Sequence, residues 1–228
     1  MHCFRKALRL LAIGASTSSA ASAQLPARMP ASAEIRDVRY DITFDHASAA
    51  QRAIKVTTTF NVAGSGPVLL SLPQWTPGAY EVSNFARWVE DFAAKGDGRD
   101  LAWSKGDYDT WRVDPAGTKN VTVSFTYVAD TLDNAMAWAT PDFLLFNGTN
   151  VFLYAEGRPL TFTSRVTVHT EPEWRVVTGM HHETGNSFRA SNYHDLVDMP
   201  FFVGRFDLDS AMVATPQPVH VTSAPRSL

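Results

Sequence analysis

The residues whose types could most readily do chemistry are the adjacent pair His181 and His182 with Glu183. A zinc peptidase site of the H-E-x-x-H type places two imidazoles one helical turn apart, with the glutamate between them as general base. The sequence contains no such motif. Adjacent side chains of a strand or loop point apart, and Thr184-Gly185-Asn186 follows directly. We therefore interpret the cluster as a solvated loop and predict no metal ligand in this chain.

Other kinds of catalytic site are also missing from the sequence. Neither the G-x-S-x-G nucleophile elbow nor the phosphate loops G-x-x-x-x-G-K-[ST] and G-x-G-x-x-G occur. Paired carboxylates such as Glu90-Asp91 and Asp107/Asp109 are common on surfaces and are unspecific without geometry. We predict that the chain has no catalytic residue and no cofactor of its own, and that it is inactive alone.

The first 23 residues are typical of a signal peptide. Three cations precede a short apolar run that begins at Leu10, and Ala21-Ser22-Ala23 is a small-residue cleavage pattern. The run is too short for a membrane span, which needs about 20 apolar residues. Cleavage would also remove Cys3, the only cysteine, so the mature chain could form no disulfide. We expect an exported protein, in a bacterial periplasm or secreted, with no membrane span.

The charge balance argues against nucleic acid as a partner. Of the 20 basic residues, Arg5, Lys6 and Arg9 lie in the predicted signal peptide, which leaves 17 against 23 acidic residues and a net charge of −6. Nucleic acids and anionic membranes bind proteins that carry basic patches. The mature chain of about 205 residues suffices for one large β domain or two small ones.

Apolar residues alternate with polar ones in four segments, which is the pattern of half-buried strands. The inward residues are Val38, Tyr40, Ile42 and Phe44; Ile54, Val56, Thr58, Phe60 and Val62; Val121, Val123, Phe125 and Tyr127; and Phe162, Val166 and Val168. Only residues 81–94 and 191–197 resemble short helices. The predicted fold class is therefore all-β, a sandwich or saddle of large antiparallel sheets.

Four segments divide the chain. We predict a signal peptide at residues 1–23, a flexible leader rich in Pro, Ala and Ser at residues 24–35, an N-terminal β domain at residues 36–222, and a tail at residues 223–228. Gly64-Ser65-Gly66-Pro67 is one of the turns that separate strands within the β domain.

Six short strings in the β domain are unusual in composition and order. They are Leu72-Pro73-Gln74-Trp75-Thr76-Pro77-Gly78-Ala79-Tyr80, Asn84-Phe85-Ala86-Arg87, Asp109-Thr110-Trp111-Arg112-Val113, Phe146-Asn147-Gly148-Thr149-Asn150-Val151-Phe152-Leu153, Tyr193-His194-Asp195-Leu196-Val197-Asp198-Met199-Pro200 and Phe202-Val203-Gly204-Arg205-Phe206. In the first string, prolines restrict the backbone and Gly78 permits a turn, so Trp75 is expected to anchor a corner. The residues assigned a structural role are Pro73, Trp75, Pro77, Gly78, Tyr80, Asp198, Pro200 and Gly204.

Together these strings resemble the N-terminal domain of the glycyl aminopeptidase family of zinc metallopeptidases, family sixty-one of the gluzincins. The similarity extends from about Arg36 to His220. It implies a β saddle similar to the N-terminal domain of aminopeptidase N, which packs on a thermolysin-like zinc domain and helps close the cleft for a peptide substrate. The zinc ion and its His₂Glu ligands are expected in that catalytic domain, beyond Leu228. The resemblance thus implies a fragment, the non-catalytic part of an exported aminopeptidase-like peptidase.

The resemblance also suggests which segment faces the substrate, because loops of the β domain approach the substrate's amino terminus in related aminopeptidases. The candidates in this segment, residues 146–156, are Asn147, Asn150, Tyr154 and Glu156. A carboxylate such as Glu156 could bind an α-ammonium by a charge-assisted hydrogen bond. The alternative is structural: Asn-Gly is a strong turn signal, and the rest of the segment would then be an edge strand.

Two further alternatives remain open at this point. Asp195 and Asp198 could contact the zinc domain, or they could cap a short helix and form the turn before Pro200, since Asp accepts backbone N–H bonds. The chain as a whole could instead be a stand-alone exported β-sandwich that binds glycan or peptide. Its six Trp and fourteen Phe residues fit a binding platform, although tryptophans of such domains are usually mostly buried.

Overall fold

The computed structural model describes residues 31–76, 78–133 and 135–210. Within these ranges the chain forms sixteen strands. In chain order they are β1 (Ile35–Thr43), β2 (Ala53–Val62), β3 (Val68–Ser71), β4 (Val89–Gly96), β5 (Arg99–Asp100), β6 (Trp103–Lys105), β7 (Thr110–Val113), β8 (Asn120–Val128), β9 (Trp138–Thr140), β10 (Phe143–Phe146), β11 (Tyr154–Ala155), β12 (Ser164–His169), β13 (Arg175–Thr178), β14 (His181–Thr184), β15 (Ser187–Ala190) and β16 (Phe201–Gly204). Three short α-helices and a 3-10 turn connect them: α1 (His46–Ala50), α2 (Gly148–Val151), α3 (Tyr193–Asp198) and the 3-10 turn Phe85–Trp88. The predicted all-β fold class is confirmed.

The strands form three sheets. The large sheet has eight strands in the order β14-β15-β12-β1-β2-β8-β4-β5. The β3 sheet has the order β11-β3-β7-β6, and the β16 sheet has the order β13-β16-β10-β9. Of the strand pairs in the described chain, β1 with β12 is parallel and the others are antiparallel. Strand β1 lies near the start of the described chain and β12 lies far along the sequence, so this parallel pair joins segments that are distant in sequence.

The core lies between the large sheet and the two smaller ones. Strands β2 and β8 pair along their full length, and their alternate apolar residues, such as Val56 and Val123, are buried. Phe92 of β4 stacks on Trp111 of β7 with ring centroids 5.0 Å apart, which fastens the β3 sheet to the large sheet. The ring centroids of Phe188 in β15 and Phe201 in β16 lie 5.9 Å apart, and this contact joins the β16 sheet to the large sheet.

The helix predicted at residues 81–94 is wrong, because the chain makes one 3-10 turn there and then enters β4, which pairs with β8. The register of this pair shifts between Glu90 and Ala93, and Asp91 has a φ of 52°. Such a bulge interrupts the alternation of apolar residues and hides the period of the strand. The helix predicted at residues 191–197 is confirmed by α3.

The flexible leader predicted at residues 24–35 is wrong at its carboxyl end. The N–H of Ser32 donates to the carbonyl of Glu156 at 2.9 Å, and its Oγ accepts the N–H of Leu69 at 3.0 Å. Ser32 is fully buried. Both partners are distant in the sequence, so local composition could not reveal this contact. The rest of the leader, the predicted signal peptide and the tail at residues 223–228 lie outside the described residues.

The described helices are short. None of them is long and apolar enough to cross a membrane.

Gly204, at the end of β16, shows why one residue of the recognised strings must be small. Its φ is 131°, and a Cβ atom at this position would lie 2.1 Å from the carbonyl oxygen of Asp142 and 2.8 Å from the Cα of Phe143. Both neighbours are backbone atoms, one in β10 and one in the residue before it, so they cannot move aside as a side chain could.

We therefore expect Gly204→Ala to lower the free energy of unfolding by more than about 2 kcal/mol, since backbone strain adds to the steric clash. Gly185→Ala is the matched control: Gly185 also has a positive φ, 55°, but open space around it, so its loss should be about 1 kcal/mol. Urea denaturation followed by circular dichroism measures both values. Equal losses in the two variants would contradict the clash.

Candidate functional site

A cleft of about 530 Å³ opens at one end of the β3 sheet. Ser71, the last residue of β3, lies opposite Thr110 at the start of β7 and opposite Tyr154 at the start of β11. The loops next to these three residues therefore converge at the same end. Helix α3 supplies another wall with Tyr193 and His194.

The loop after β3 leaves the body of the domain at Trp75. Its base is closed by the N–H groups of Ser83 and Asn84, which both donate to the carbonyl of Gln74, at 2.8 and 2.9 Å. Trp75 is 53% exposed and Tyr80 is 96% exposed. The prediction that Trp75 anchors a corner, with a structural role for both aromatic residues, is wrong. The backbone bonds at the base hold the loop, and Trp75 lines the mouth of the cleft instead.

The turn that Gly78 is predicted to permit is present in this string. Ala79 N–H donates to the carbonyl of Thr76 at 3.3 Å, in a turn where Gly78 has a φ of 89°. Pro73 lines the cleft. Pro77 lies outside the described residues.

An acidic corner forms one side of the cleft. Asp107 Oδ1 accepts the N–H groups of Asp109 and Thr110 at 3.0 and 2.9 Å, which fixes the turn before β7. Asp109 is only 6% exposed, and its Oδ2 accepts a hydrogen bond from the side-chain amide of Gln74. Its other oxygen, Oδ1, is buried without a hydrogen-bond partner among the described residues.

The nearest cation does not neutralise this corner by a direct ion pair. Lys105 Nζ donates to the carbonyl of Tyr108 at 2.9 Å and lies 3.3 Å from the ring centroid of Trp111. Burial lowers the pKa of the Lys105 ammonium, and the negative charges of Asp109 and Asp107 oppose that shift. No ion pair within 4.0 Å in the described ranges includes either aspartate.

Two of the four predicted cleft residues line this cleft, Tyr154 and Glu156. Burial raises the pKa of the Tyr154 phenol, and the neighbouring carboxylate of Glu156 raises it further. The Tyr154 hydroxyl is therefore a hydrogen-bond donor throughout the physiological pH range.

The other two, Asn147 and Asn150, are placed in the framework. Asn147 caps α2, and its N–H donates to the side-chain oxygen of Asn150 at 2.9 Å. Asn150 is fully buried, and its amide donates to the carbonyl of Ala135 at 2.9 Å. Both residues therefore have structural roles, as the alternative held, but Asn147 and Gly148 begin helix α2 rather than a turn, and only Tyr154–Ala155 forms an edge strand. The residue between them that reaches the cleft is Thr149.

Sequence reasoning missed the acidic corner because Asp107 and Asp109 look like an ordinary surface pair. The available signal was position: Asp109 directly precedes Thr110 and Trp111, the buried start of β7. A carboxylate at the edge of a buried strand is less solvated than its type suggests.

The interpretation of the histidine cluster as a loop needs correction. His181, His182 and Glu183 lie on β14, an exposed edge strand of the large sheet, and the turn follows at Gly185. Glu183 accepts a hydrogen bond from Arg165 at 2.7 Å. Within the described ranges, no three His, Cys, Asp or Glu residues are grouped so that they could hold a metal ion.

At the start of α3, Asp195 has a structural role as the alternative held, but the residue that caps the helix is Asn192. Asn192 caps the helix by accepting the N–H of Asp195 at 2.9 Å. The Asp195 carboxylate in turn accepts hydrogen bonds from Ser191 Oγ and Asn192 Nδ2 at 2.9 and 2.7 Å. Asp198 is the exposed last residue of α3, and Pro200 follows it before β16.

Two buried phenols position the segment that carries Tyr154. The hydroxyl of Tyr40 donates to the carbonyl of Leu153 at 2.6 Å, and the hydroxyl of Tyr193 donates to the carbonyl of Phe152 at 2.7 Å. Burial raises the pKa of both phenols, so both remain protonated donors. The carbonyl of Leu153 is thus held by a residue of the large sheet, and the carbonyl of Phe152 by a residue of α3.

The sequence matches a known protein family. A family model described as the Peptidase M61 N-terminal domain matches residues 39–205. The chain belongs to the Peptidase M61 family. The matched part of this M61 N-terminal domain contains every cleft residue discussed above.

Solved structures show the same fold. An aminopeptidase N family protein from Idiomarina loihiensis is 26% identical with a TM-score of 0.72, over 78% of this chain and 31% of that one. Legionella pneumophila aminopeptidase A in complex with aspartic acid is 11% identical with a TM-score of 0.50, over 85% of this chain and 24% of that one. The M61 N-terminal domain thus spans less than a third of either protein. No curated protein sequence matches the chain significantly.

We expect Tyr193→Phe to lower the free energy of unfolding by about 1–3 kcal/mol, because it leaves the buried carbonyl of Phe152 without its donor. Tyr108→Phe makes the same chemical change at an exposed residue and should stay within about 0.5 kcal/mol of the unmodified protein. Chemical denaturation gives both values. A Tyr193 variant as stable as the Tyr108 variant would show that the phenol does not hold the segment.

Proposed function

We propose that this chain is the non-catalytic N-terminal domain of an exported zinc aminopeptidase-like peptidase, and that it docks on a zinc catalytic domain and lines part of the substrate cleft. The observation that carries the proposal is the cleft at the end of the β3 sheet, in a domain that belongs to a peptidase family.

The docking surface in this proposal is the aromatic loop, which we define as residues 74–82. Trp75, Tyr80 and Val82 are its exposed apolar residues. Exposed aromatic and aliphatic side chains beside a cleft are typical of surfaces that another protein covers. Inter-domain interfaces of this kind bury roughly 600–1,500 Å², which a loop of this size and the rim of the cleft could supply together.

In this proposal the zinc ion belongs to the catalytic domain and not to the described residues of this chain. The described residues contain no fitting ligand group, and the sequence has no H-E-x-x-H motif. In the proposed assembly the catalytic domain holds the metal and activates water. The β domain lines part of the cleft, where the Tyr154 hydroxyl supplies a hydrogen-bond donor and the Glu156 carboxylate a negative charge toward the bound peptide. A carboxylate such as Glu156 suits an ammonium group of that peptide.

Export is the part of the proposal that rests on sequence alone. The cations, apolar run and small-residue cleavage pattern of the first 23 residues support it, with the bacterial periplasm or secretion as the destination. A stand-alone module for glycan or peptide is the less favoured function, because the peptidase family match covers the whole cleft region.

The docking proposal is tested by mixing the purified chain with a separately produced zinc domain of an M61 peptidase. We expect a complex in analytical ultracentrifugation, and the double variant Tyr80→Ser/Val82→Ser should weaken it by about tenfold or more, since central apolar contacts dominate interfaces. Leu208→Ser is the control, because Leu208 is also exposed but lies outside the aromatic loop. Equal affinity of the double variant and the control would contradict docking through this loop.

A further inference from the structure

We propose that the cleft binds one basic side chain of a peptide, a lysine ammonium or an arginine guanidinium on its apolar stem. The inference rests on the proposed function, because that function brings a peptide to the cleft. The subsite for this side-chain cation consists of Trp75 and the acidic corner, Asp107 and Asp109. Glu156 keeps its separate proposed role of binding an ammonium group of the peptide.

The first observation is the charge of the cleft. Asp107, Asp109 and Glu156 all line it. None of the three belongs to an ion pair within 4.0 Å among the described residues. Lys105 is close, but its ammonium is engaged by the Tyr108 carbonyl and the Trp111 ring. The cleft thus presents an excess of negative charge to a ligand.

The second observation concerns two buried polar atoms without a hydrogen-bond partner, one of which belongs to the uncharged residue Thr149. Asp109 is 6% exposed with Oδ1 unpartnered, and Thr149 is 1% exposed with Oγ1 unpartnered among the described residues. Both residues line the cleft. Buried polar atoms normally have hydrogen-bond partners, and an unpaired one is unfavourable. A cation with several N–H donors can serve such acceptors, as ammonium and guanidinium groups do.

The third observation is the apolar lining next to the acids. Leu72, Leu160 and Val197 line the cleft together with the half-exposed Trp75. Lysine and arginine side chains lay their methylene stems along apolar surface, and their cations are attracted to tryptophan faces. Lys105 already shows this chemistry beside the cleft, with its ammonium over Trp111.

The same arrangement does not suit a metal ion. A divalent cation needs several oxygen ligands at one point, and the acidic residues of the described chain are not grouped in that way. A side-chain cation needs fewer acceptors and gains from the apolar wall. The chemistry of the cleft therefore points to an organic cation.

The test is a titration of the 228-residue chain with Nα-acetyl-L-lysine methylamide, whose only charge is the side-chain ammonium, followed by backbone amide NMR shifts. For a ligand of this size we expect a dissociation constant on the order of 1 mM or tighter. Nα-acetyl-L-norleucine methylamide has the stem without the charge and should bind at least about tenfold more weakly. Glycine methylamide carries only an α-ammonium and should not displace the lysine ligand.

The variant Asp109→Asn keeps the size of the side chain and an oxygen for Gln74, and it should weaken lysine binding by about tenfold or more. Asp100→Asn removes the same charge from an exposed site on β5 and should change the dissociation constant by less than about twofold. Trp75→Leu, at a half-exposed position, should weaken binding severalfold without unfolding the domain.

Three results would overturn the inference: equal binding of the norleucine and lysine ligands, unchanged affinity of Asp109→Asn, or displacement of lysine by glycine methylamide or by Ca²⁺. None of these results concerns docking. If the Asp109 variant still binds the zinc domain in the ultracentrifuge while lysine binding fails, the subsite is rejected and the proposed function stands. If the lysine ligand binds but the zinc domain does not, the subsite stands and the docking proposal is rejected.

Discussion

The hydrogen bonds from the buried phenols of Tyr40 and Tyr193 to consecutive carbonyls are the contacts on which the cleft depends. Residues 152 and 153 have no strand partner of their own, yet they lead directly into β11. Two donors from different elements replace the missing ladder bonds. The position of Tyr154, and through it the end of the β3 sheet, follows from this pair.

The cleft combines a rigid rim with an exposed loop. The acidic corner is fixed by the hydrogen bonds that Asp107 accepts and by the contact of Asp109 with Gln74. The aromatic loop, residues 74–82, departs from that same Gln74. A site whose charged groups are already fixed loses little conformational entropy when a ligand binds. The exposed aromatic residues beside it remain available to a partner, so the two parts suit different tasks.

The sequence predicts most of the fold because apolar and polar residues alternate without interruption wherever a strand pairs along its whole length, as β2 and β8 do. It fails at β4, where the bulge at Asp91 breaks the period. The cleft is less predictable. Tyr154 and Glu156 could be chosen from a resemblance, but the burial of Asp109 and the exposure of Trp75 depend on contacts with residues distant in sequence or on how a loop closes. The residues next to Trp75 in the sequence do not reveal its exposure, and those next to Asp109 reveal only that it precedes a buried strand.

We propose that this cleft forms part of a peptide's path to the zinc ion of the catalytic domain. The most direct measurement is the distance from the Asp109 carboxylate to the zinc in a crystal structure of a complete protein that contains this domain. We expect the cleft to face the zinc domain, with the Asp109 carboxylate about 10–20 Å from the zinc, a distance that three to six extended residues span. A cleft that opens to solvent on the side away from the zinc domain would contradict it.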